Sequence, residues 1–508
     1  MHRHAKRVGG LAVLSAVLLS GCAINPTALT SEEIAIGAQD KLARVTQQQQ
    51  PIAGAIDLHE AMARALKYNL DQKVEFYESS LKLAELDLAH WNMLPNAVAS
   101  SGFSERNKVS ASSSYNLQSN TQNFGFSTSQ DNRDKSADLT FSWNILDFGL
   151  SYVRAKQAAD KALIAEESRR KVVVRLMEDV RAAYWRAYSA QRLSSKLVTL
   201  ERRTRTAMAS SSALAVDRTT SPITALTYRR ELIEIQRTLL ELQRELAVAK
   251  FQLAALMNIA PGTPFVLAAP TAMATSPVAA ASSAELIRIA LENRPELRDL
   301  EYQKRINIRE ADAALLELLP GIQLYAGPSY DSNSFLLNNE WLGWGAKASW
   351  NLLKVFQYPA RSDVIEGRTE ALDQRGLAMT MAIMTQVYVS RARIATFKRE
   401  VQTASAYYDN QQALLQAIRA EHAANKVSEQ TLLREELNAA VGDVRLSIAR
   451  ASLETAKANL NTSLGLDPAG TGISQTASVA EIASVLRRGG AIAAPNSPQL
   501  VAVRLSRN

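Results

Sequence analysis

A long stretch without helix breakers constrains this fold more than any other feature of the chain. No glycine or proline occurs between Gly149 and Pro222. Proline removes a backbone donor and clashes with the preceding turn, so its absence permits an unbroken helix of roughly 65 residues, about 100 Å long. Because helices of globular proteins rarely exceed about 20 residues, this length predicts a coiled coil or a helical repeat.

Apolar and small residues recur along this stretch at spacings of three and four, and the next segment continues the pattern. Such spacing keeps one seam of a helix against a neighbour over its whole length. The pattern predicts long hairpins of packed helices, although a filamentous coiled coil would show the same periodicity. The first seam consists of Leu176, Val180, Ala183, Ala187, Ala190, Ser194 and Leu197.

The chain is a tandem duplication. The sequence SWNIL at 142–146 returns as SWNLL at 349–353, at an offset of 207 residues. Upstream, the Leu-Pro pairs at 94–95 and 319–320 match at an offset of 225 instead. The 18 additional residues fall in a Ser/Asn/Gln-rich stretch, 104–136. Length is free to vary there, as in an exposed loop.

Apolar and polar residues alternate in two equivalent segments, 137–146 and 344–353. A period of two over about ten residues is typical of an outer-membrane strand with lipid on one side. A soluble sheet with one wet face gives the same pattern. Alternation also occurs from Ala97 and around 322–327, which gives four strands in total. Four strands cannot close a barrel and open edges are not tolerated in lipid, whereas twelve strands from a trimer would leave a lumen.

The N-terminus carries an export signal. Basic residues precede an apolar run from Val8 to Leu19, which is shorter than the 20 or so residues of a membrane-spanning helix. The run ends in Leu-Ser-Gly-Cys, which resembles the bacterial lipobox, and Cys22 is the only cysteine. Since no intramolecular disulfide is possible, we expect Cys22 to be acylated after removal of 1–21. The alternative is an ordinary signal peptide that ends near a cysteine.

The predicted organisation has six segments: a signal peptide over 1–21, a lipidated, loosely ordered arm over 22–54, a first repeat over 55–261, a linker over 262–282, a second repeat over 283–468 and a flexible tail over 469–508. The first repeat is predicted to contain a helix over 57–93, strands near 97–108 and 137–146, and helices near 150–216 and 222–258. The second is predicted to contain a helix over 283–318, strands near 322–330 and 344–353, and helices near 360–424 and 428–465.

The sequence shows no enzyme motif. Its histidines are isolated, and neither a Gly-rich phosphate loop nor a nucleophile motif occurs, so no catalytic site, metal or cofactor is expected. The net charge of +8 falls to +5 once Arg3, Lys6 and Arg7 leave with the signal. No basic patch is interleaved with aromatic residues, so nucleic acid is not an expected partner. The histidines are His2, His4, His59, His90 and His422.

The duplication, the Leu-Pro pairs, the two SWN strand ends and the heptad hairpins together resemble the TolC family of outer-membrane efflux proteins, in its lipoprotein branch. The resemblance covers about 55–468. It implies a mainly α fold with a membrane β-barrel portion, in which duplicated helical hairpins form a trimeric α-barrel and four strands per protomer form a 12-stranded outer-membrane barrel. It also implies a homotrimer in outer-membrane lipid, anchored by acyl groups such as palmitate and extending into the periplasm.

By this resemblance the chain is the passive exit duct of a tripartite efflux system or a type I secretion system. Its partners would be a periplasmic adaptor protein and an inner-membrane pump of the RND or ABC type. Two other interpretations stay open: a non-conducting periplasmic coiled-coil scaffold or interaction lipoprotein, and a specialised relative within one dedicated secretion system. The sequence does not identify the substrate, because in this family the partner proteins usually determine substrate specificity.

The periplasmic tips depart from the family pattern, which has glycine at each turn followed by acidic residues that narrow the pore. Arg218 and Asn425 stand at the glycine positions, and asparagine tolerates a left-handed turn better than arginine does. By alignment with the family, Arg434 stands at an acidic position. A threefold axis would turn it into a positive ring that favours anions, unless it pairs with Glu435, Glu436 or a neighbouring helix. The tip and pore candidates are Arg218, Thr224, Thr227, Asn425, Thr431 and Arg434.

Overall fold

The computed structural model describes residues 27–47, 49–216, 222–270, 281–466 and 476–488. The predicted signal peptide, the acylation site Cys22 and the turn residue Arg218 lie outside these ranges. The chain divides into two compact units, Met1–Pro51 and Ile52–Asn508.

The first unit contains helix α1 (Ser31–Val45). The Thr30 hydroxyl accepts a hydrogen bond from the Glu33 backbone amide, and the Glu33 carboxylate accepts one from the Thr30 amide. This reciprocal cap satisfies two backbone donors that the first turn of a helix leaves free. The expectation of a loosely ordered arm is therefore wrong over these residues.

The second unit contains the two repeats. The first comprises α2 (Leu58–Tyr68), α3 (Leu70–Trp91), β1 (Asn96–Glu105), β2 (Tyr115–Asn116), β3 (Thr121–Gln122), β4 (Arg133–Asn144), α4 (Ile145–Val216), α5 (Pro222–Ala247) and α6 (Ala249–Leu256). The second comprises α7 (Ser283–Asn293), α8 (Pro295–Leu316), β5 (Gly321–Asp331), β6 (Glu340–Ser349), α9 (Leu353–Ala423) and α10 (Glu429–Ser463), and α11 (Val479–Arg488) follows it. The helix predicted near 222–258 is divided at Val248, and the strand predicted near 344–353 instead begins at Glu340. Within the described ranges, no helix is both long and apolar enough to cross a membrane.

Each repeat begins with a pair of helices where one helix was predicted, over 57–93 and over 283–318. Asn69 ends α2 with a ψ of 132°, and its side-chain oxygen caps the start of α3. At the equivalent point of the second repeat, Arg294 has a ψ of 125°. A residue that precedes proline is disfavoured in the helical region, and Pro295 then starts α8. The prediction of single helices is therefore wrong at the same place in both repeats.

The two long helices begin earlier than predicted. Asn144 and Asn351, which end the two SWN sequences, direct their side-chain oxygens at backbone amides in the first turns of α4 and α9. As a result α4 contains Gly149 and α9 contains Pro359. The starts predicted near 150 and 360, at these two helix breakers, are wrong because the asparagines start the helices first. The helices have 72 and 71 residues, or about 108 Å at 1.5 Å per residue.

The strands form one antiparallel sheet in the order β1-β4-β5-β6. The register keeps the predicted alternation in phase across the sheet. Phe141 of β4 lies opposite Ala97 of β1 and Ala326 of β5, and Ala326 lies opposite Trp344 of β6. The short hairpin of β2 and β3 lies in the polar insertion between β1 and β4.

The long helices of the second unit pack in a layer whose members change along its length. Beside the sheet the order is α3-α4-α8-α9, and toward the hairpin turns it is α5-α4-α10-α9. The predicted seam of α4 is buried except at Ser194, which is exposed, and Leu193 is buried in its place. Leu193 and Leu197 pack in a core with Leu232 of α5 and Leu437 of α10. Both repeats therefore share one core in the half that holds the hairpin turns.

A second core surrounds Tyr184, near the middle of α4, and brings in distant segments of the chain. The Tyr184 hydroxyl is 2.8 Å from the carbonyl oxygen of Ile56 and 2.7 Å from that of Ala268. Burial raises the pKa of Tyr184, so the hydroxyl stays protonated and donates to these carbonyls. The tyrosine thereby fixes the start of the first repeat and the start of the linker to α4.

Helix α11 packs on α2 in the same core. Its apolar residues recur at the i, i+3, i+4, i+7 spacing of an amphipathic helix. The Lys67 side-chain nitrogen donates to the Ala477 carbonyl at 2.6 Å, and Arg487 pairs with Asp57. The prediction of a flexible tail is therefore wrong over 479–488. The buried face consists of Val479, Ile482, Ala483 and Leu486.

Candidate functional site

One face of the sheet is apolar and exposed. Leu139 and Phe141 of β4 are 37% and 50% exposed, and Trp344 of β6 is 81% exposed. Sheets of water-soluble proteins usually bury such a face against another layer, but the part of the chain that the structure describes provides no cover here. The face consists of Ala97, Ala99, Ala137, Leu139, Phe141, Trp143, Ile322, Leu324, Ala326, Leu342, Trp344, Ala346 and Ala348.

The opposite face of the sheet is mainly polar, and along the central strand β4 it is less exposed than the apolar face. On β4, Asp138, Thr140 and Ser142 are half-buried, whereas the apolar residues between them are exposed. Tyr325 packs so closely over Gly345 that a Cβ added there would lie 2.5 Å from the tyrosine oxygen. The lower exposure along β4 indicates that the sheet curves around its polar face there, whereas β1 is exposed along its whole length. The polar face is therefore concave and the apolar face convex.

The two edges of the sheet are long and unpaired. β1 and β6 have ten residues each, and among the described strands each pairs on one side only. Edge strands offer rows of free backbone N–H and C=O groups to another chain. A single chain therefore presents an open, curved sheet that further copies could extend at both edges.

The described hairpin turn, between α9 and α10, is built around Asn425. Its φ is 55°, in the left-handed region. The amides of Asn425 and Lys426 donate to carbonyls in the last turn of α9, which is the Schellman arrangement. Ser428 Oγ then accepts from the Thr431 amide and caps α10. The asparagine thus adopts the conformation for which glycine is usually required.

Asn425→Val is expected to destabilise this turn by roughly 1–2 kcal/mol, because a β-branched residue is strained at positive φ. Asn425→Gly is the matched control and should leave the turn as stable or slightly more so. Hydrogen exchange of the turn amides would measure the local opening free energy. Equal exchange in the two variants would show that the left-handed conformation does not limit the turn.

The other tip candidates occupy varied positions. Thr227 is exposed on α5, and Thr224 lies in the first turn of that helix. Thr431 takes part in the cap of α10, with its hydroxyl 3.1 Å from that of Ser428. Arg434 is half-exposed, and its Nε lies 3.4 Å from a carboxylate oxygen of Glu435. The structure therefore brings Thr431 to the turn itself and places Arg434 beside an acidic neighbour.

Charged residues near this turn form ion pairs that join three helices, and sequence reasoning missed these pairs. Arg203 of α4 pairs with Glu429 of α10 at 2.8 Å and also with Glu436. Glu436 pairs in turn with Arg419 of α9 at 3.1 Å, and His422 Nε2 lies 3.2 Å from Glu429. Pairs between α4 and α10 join residues more than 200 positions apart, so they leave no local pattern that could have revealed them.

A buried carboxylate joins the repeats in the half of the layer beside the sheet. Asp160 of α4 is 1% exposed. It accepts hydrogen bonds from Arg305, with the Nε at 2.9 Å, and from Arg309, both on α8. No three His, Cys, Asp or Glu side chains come together as a metal site among the described residues. The charged clusters therefore hold helices to one another.

No protein-family model and no curated protein matches the chain, but solved structures do. The Campylobacter jejuni CmeC outer membrane channel is 12% identical, with a TM-score of 0.63 over 92% of this chain and 98% of the channel. CusC, which forms a transmembrane channel, is 19% identical, with a TM-score of 0.61 over 82% and 95%. The open state of the Neisseria gonorrhoeae MtrE outer membrane channel is 15% identical, with a TM-score of 0.60 over 83% and 94%.

At these identities the likeness establishes the fold. The predicted fold class, mainly helical with duplicated long hairpins and a smaller strand portion, is confirmed. The three matches cover 82–92% of this chain and 94–98% of the solved chains. The chain has the fold of the solved outer-membrane channel proteins.

Proposed function

We propose that the chain is one third of an outer-membrane exit duct, which conducts substrate passively from the periplasm to the outside. The observation that carries this proposal is the sheet, whose apolar face is convex and whose polar face is concave. Lipid outside and water inside would satisfy both faces. In water alone, the convex face would form a large exposed apolar patch, which monomeric soluble proteins rarely carry.

A trimer fits both the number of strands in the sheet and its two unpaired edges. Four strands per chain make twelve in a trimer, which is wide enough to leave a water-filled lumen, whereas eight strands fill their interior with side chains. Pairing of β6 of one copy with β1 of the next would satisfy the edge groups that lipid does not tolerate unpaired. We therefore propose a homotrimer with a 12-stranded barrel that continues into an α-barrel built from the helical layer.

We further propose that this duct works with a periplasmic adaptor protein and an inner-membrane pump of the RND or ABC type, in efflux or in type I secretion. Helices of about 108 Å far exceed the roughly 30 Å hydrocarbon core of a bilayer. With the strands in the outer membrane, the hairpin turns would stand deep in the periplasm, within reach of soluble partners. The resemblance to the TolC family supports the same partners.

Fractionation of the cell envelope tests the duct against a periplasmic scaffold. The expected result is a heat-resistant trimer in the outer-membrane fraction, seen by electrophoresis of unboiled and boiled samples. A scaffold has no barrel to resist heat, so it would run as a monomer even in unboiled samples, and without acyl groups it would also leave with the soluble periplasmic fraction. Either of those results would overturn the proposed duct.

We propose that Cys22 carries the acyl groups that anchor the mature chain. One acyl chain binds membranes only marginally and several bind stably, so a triacylated cysteine would hold the protein before its barrel assembles. Cys22→Ser is expected to abolish incorporation of labelled palmitate completely, because the chain has no other cysteine. Residual label in this variant would refute acylation at Cys22 as the sole anchor.

We propose that the hairpin turns form the periplasmic constriction and that Arg434 contributes a positive ring to it. Arg434→Ser is expected to lower the preference for anions over cations, measured as the reversal potential of single channels in a salt gradient. Arg434→Lys keeps the charge and is the matched control, so its selectivity should match that of the unmodified protein. Unchanged selectivity in Arg434→Ser would mean that Arg434 only pairs with Glu435.

A further inference from the structure

We infer that the helical layer carries a binding site for a small amphipathic anion, meaning a sulfonate, carboxylate or phosphate attached to an apolar ring. This inference rests on the duct proposed above and adds a ligand class to its inner wall. The site is a groove along α10, walled by α4 on one side and α9 on the other. It is lined by Arg186, Arg393, Phe397, Ile448, Ser452 and Thr455.

The two arginines of this groove are equivalent positions of the duplication. Arg186 lies on α4 and Arg393 on α9, at the 207-residue offset that relates the two SWN sequences. Both are exposed. The groove therefore receives one cationic side chain from each repeat, although neither arginine belongs to a motif that the sequence alone singles out.

Both charges are available to a ligand. Among the described residues neither arginine forms an ion pair, whereas Arg192, one and a half turns along α4 from Arg186, is paired with Asp443 at 2.6 Å. The Arg186 Nε donates only within its own helix. The charge of Asp179 reaches Arg186, but Arg175 also interacts with this carboxylate, at 4.0 Å. An anion entering the groove would therefore meet positive charge that the protein leaves largely uncompensated.

The two arginines point toward the face of the helical layer that the short helices leave uncovered, so the groove lies on that face. Tyr184 is buried beneath the short segments that pack on α4, and Arg186 follows it by two residues, or about 200° around the helix. Arg391 donates to Ser283 of α7 at 2.6 Å, and Arg393 again lies about 200° further round. Both arginines thus point away from the short helices. That uncovered face is the one that can line a duct, where three chains would bring six arginines to one level.

The chemistry of the groove selects an anion with an apolar body. A guanidinium binds carboxylate, sulfonate or phosphate oxygens through paired, charge-assisted hydrogen bonds. Phe397 and Ile448 offer apolar surface beside these charges, and the hydroxyl of Ser452 offers a further donor. An inorganic anion would leave the apolar surface unused, and a neutral aromatic would leave the arginines unpaired.

Calorimetric titration of the purified trimer with naphthalene-2-sulfonate tests the site, with neutral 2-naphthol as the comparison ligand. Arg186→Gln and Arg393→Gln are each expected to weaken sulfonate binding about tenfold, as loss of a charge-assisted hydrogen bond does, and the double variant should weaken it further. Arg399→Gln changes another exposed arginine of α9, which lies outside the groove. The affinity of this variant for the sulfonate should equal that of the unmodified trimer.

Equal affinity in the double variant and the unmodified trimer, or equal binding of 2-naphthol and the sulfonate, would overturn the inference. Conductance of the same preparations separates this result from failure of the duct. A trimer that conducts but does not bind the sulfonate refutes the groove site and leaves the duct intact. A protein that never conducts, yet loses affinity in the glutamine variants, refutes the duct and the position of the site on an inner wall.

Discussion

Asp160→Ala is expected to lower the free energy of unfolding by about 3 kcal/mol. Asp160 is almost fully buried and holds both Arg305 and Arg309 of α8 against α4. Removal of one partner of a buried ion pair costs roughly 3–5 kcal/mol, because the remaining charge stays behind uncompensated. The lower end of this range applies because the Arg305 side chain is 47% exposed and can turn toward water.

Thermal unfolding of the purified protein, followed by its helical circular dichroism, measures this effect as a lower midpoint. Glu85→Ala is the matched control, because Glu85 pairs with Lys82 at 2.8 Å on an exposed helix face. Exposed pairs contribute about 0–1 kcal/mol, so this variant should unfold close to the unmodified protein. If Asp160→Ala unfolded at the same temperature as Glu85→Ala, the carboxylate would not hold the two repeats together.

Leu139→Arg is expected to prevent stable insertion of the barrel, at a cost of roughly 2–4 kcal/mol for a cation near the middle of the bilayer. Leu139 lies midway along β4 on the convex apolar face, opposite Ala99 of β1. Three copies of the substitution would place three charges in lipid. The measurable result is loss of heat-resistant trimers from the outer-membrane fraction.

Thr140→Arg is the matched control for this prediction. It introduces the same side chain at the next residue of the same strand, but on the concave polar face. A cation there would project into a water-filled lumen and should leave trimers in the membrane. Equal loss of trimers in both variants would mean that the two faces meet the same solvent. A membrane barrel instead requires lipid on one face and water on the other.

The elements with a strong periodic signal were predictable from the sequence. The Gly/Pro-free stretch predicted α4, and alternation predicted the sheet because each strand keeps one face apolar. The boundaries were not predictable in the same way, because they depend on single side chains. Asn144 starts α4 before Gly149 is reached, and Asn69 divides a helix that has no glycine or proline at that point.

The contacts between the repeats could not be predicted from one sequence. Arg203 and Glu436 meet only because the duplication folds α4 against α10, and spacing along either helix does not reveal the partner. The same is true of Asp160 and the arginines of α8. Helix α11 is a different case, since its amphipathic spacing was present in the sequence, but its short length within a segment predicted to be flexible concealed it.

Single-channel conductance of the purified, acylated protein in a planar lipid bilayer tests the proposed duct most directly. A trimer should insert and give discrete current steps of uniform size, since each trimer would contribute one lumen. Arg203→Ser removes the ion pairs between α4 and α10 at the hairpin turn and should raise the open fraction if the turn restricts the lumen. A folded trimer that stays silent in both forms, or a protein that inserts only as a monomer, would contradict a conducting duct.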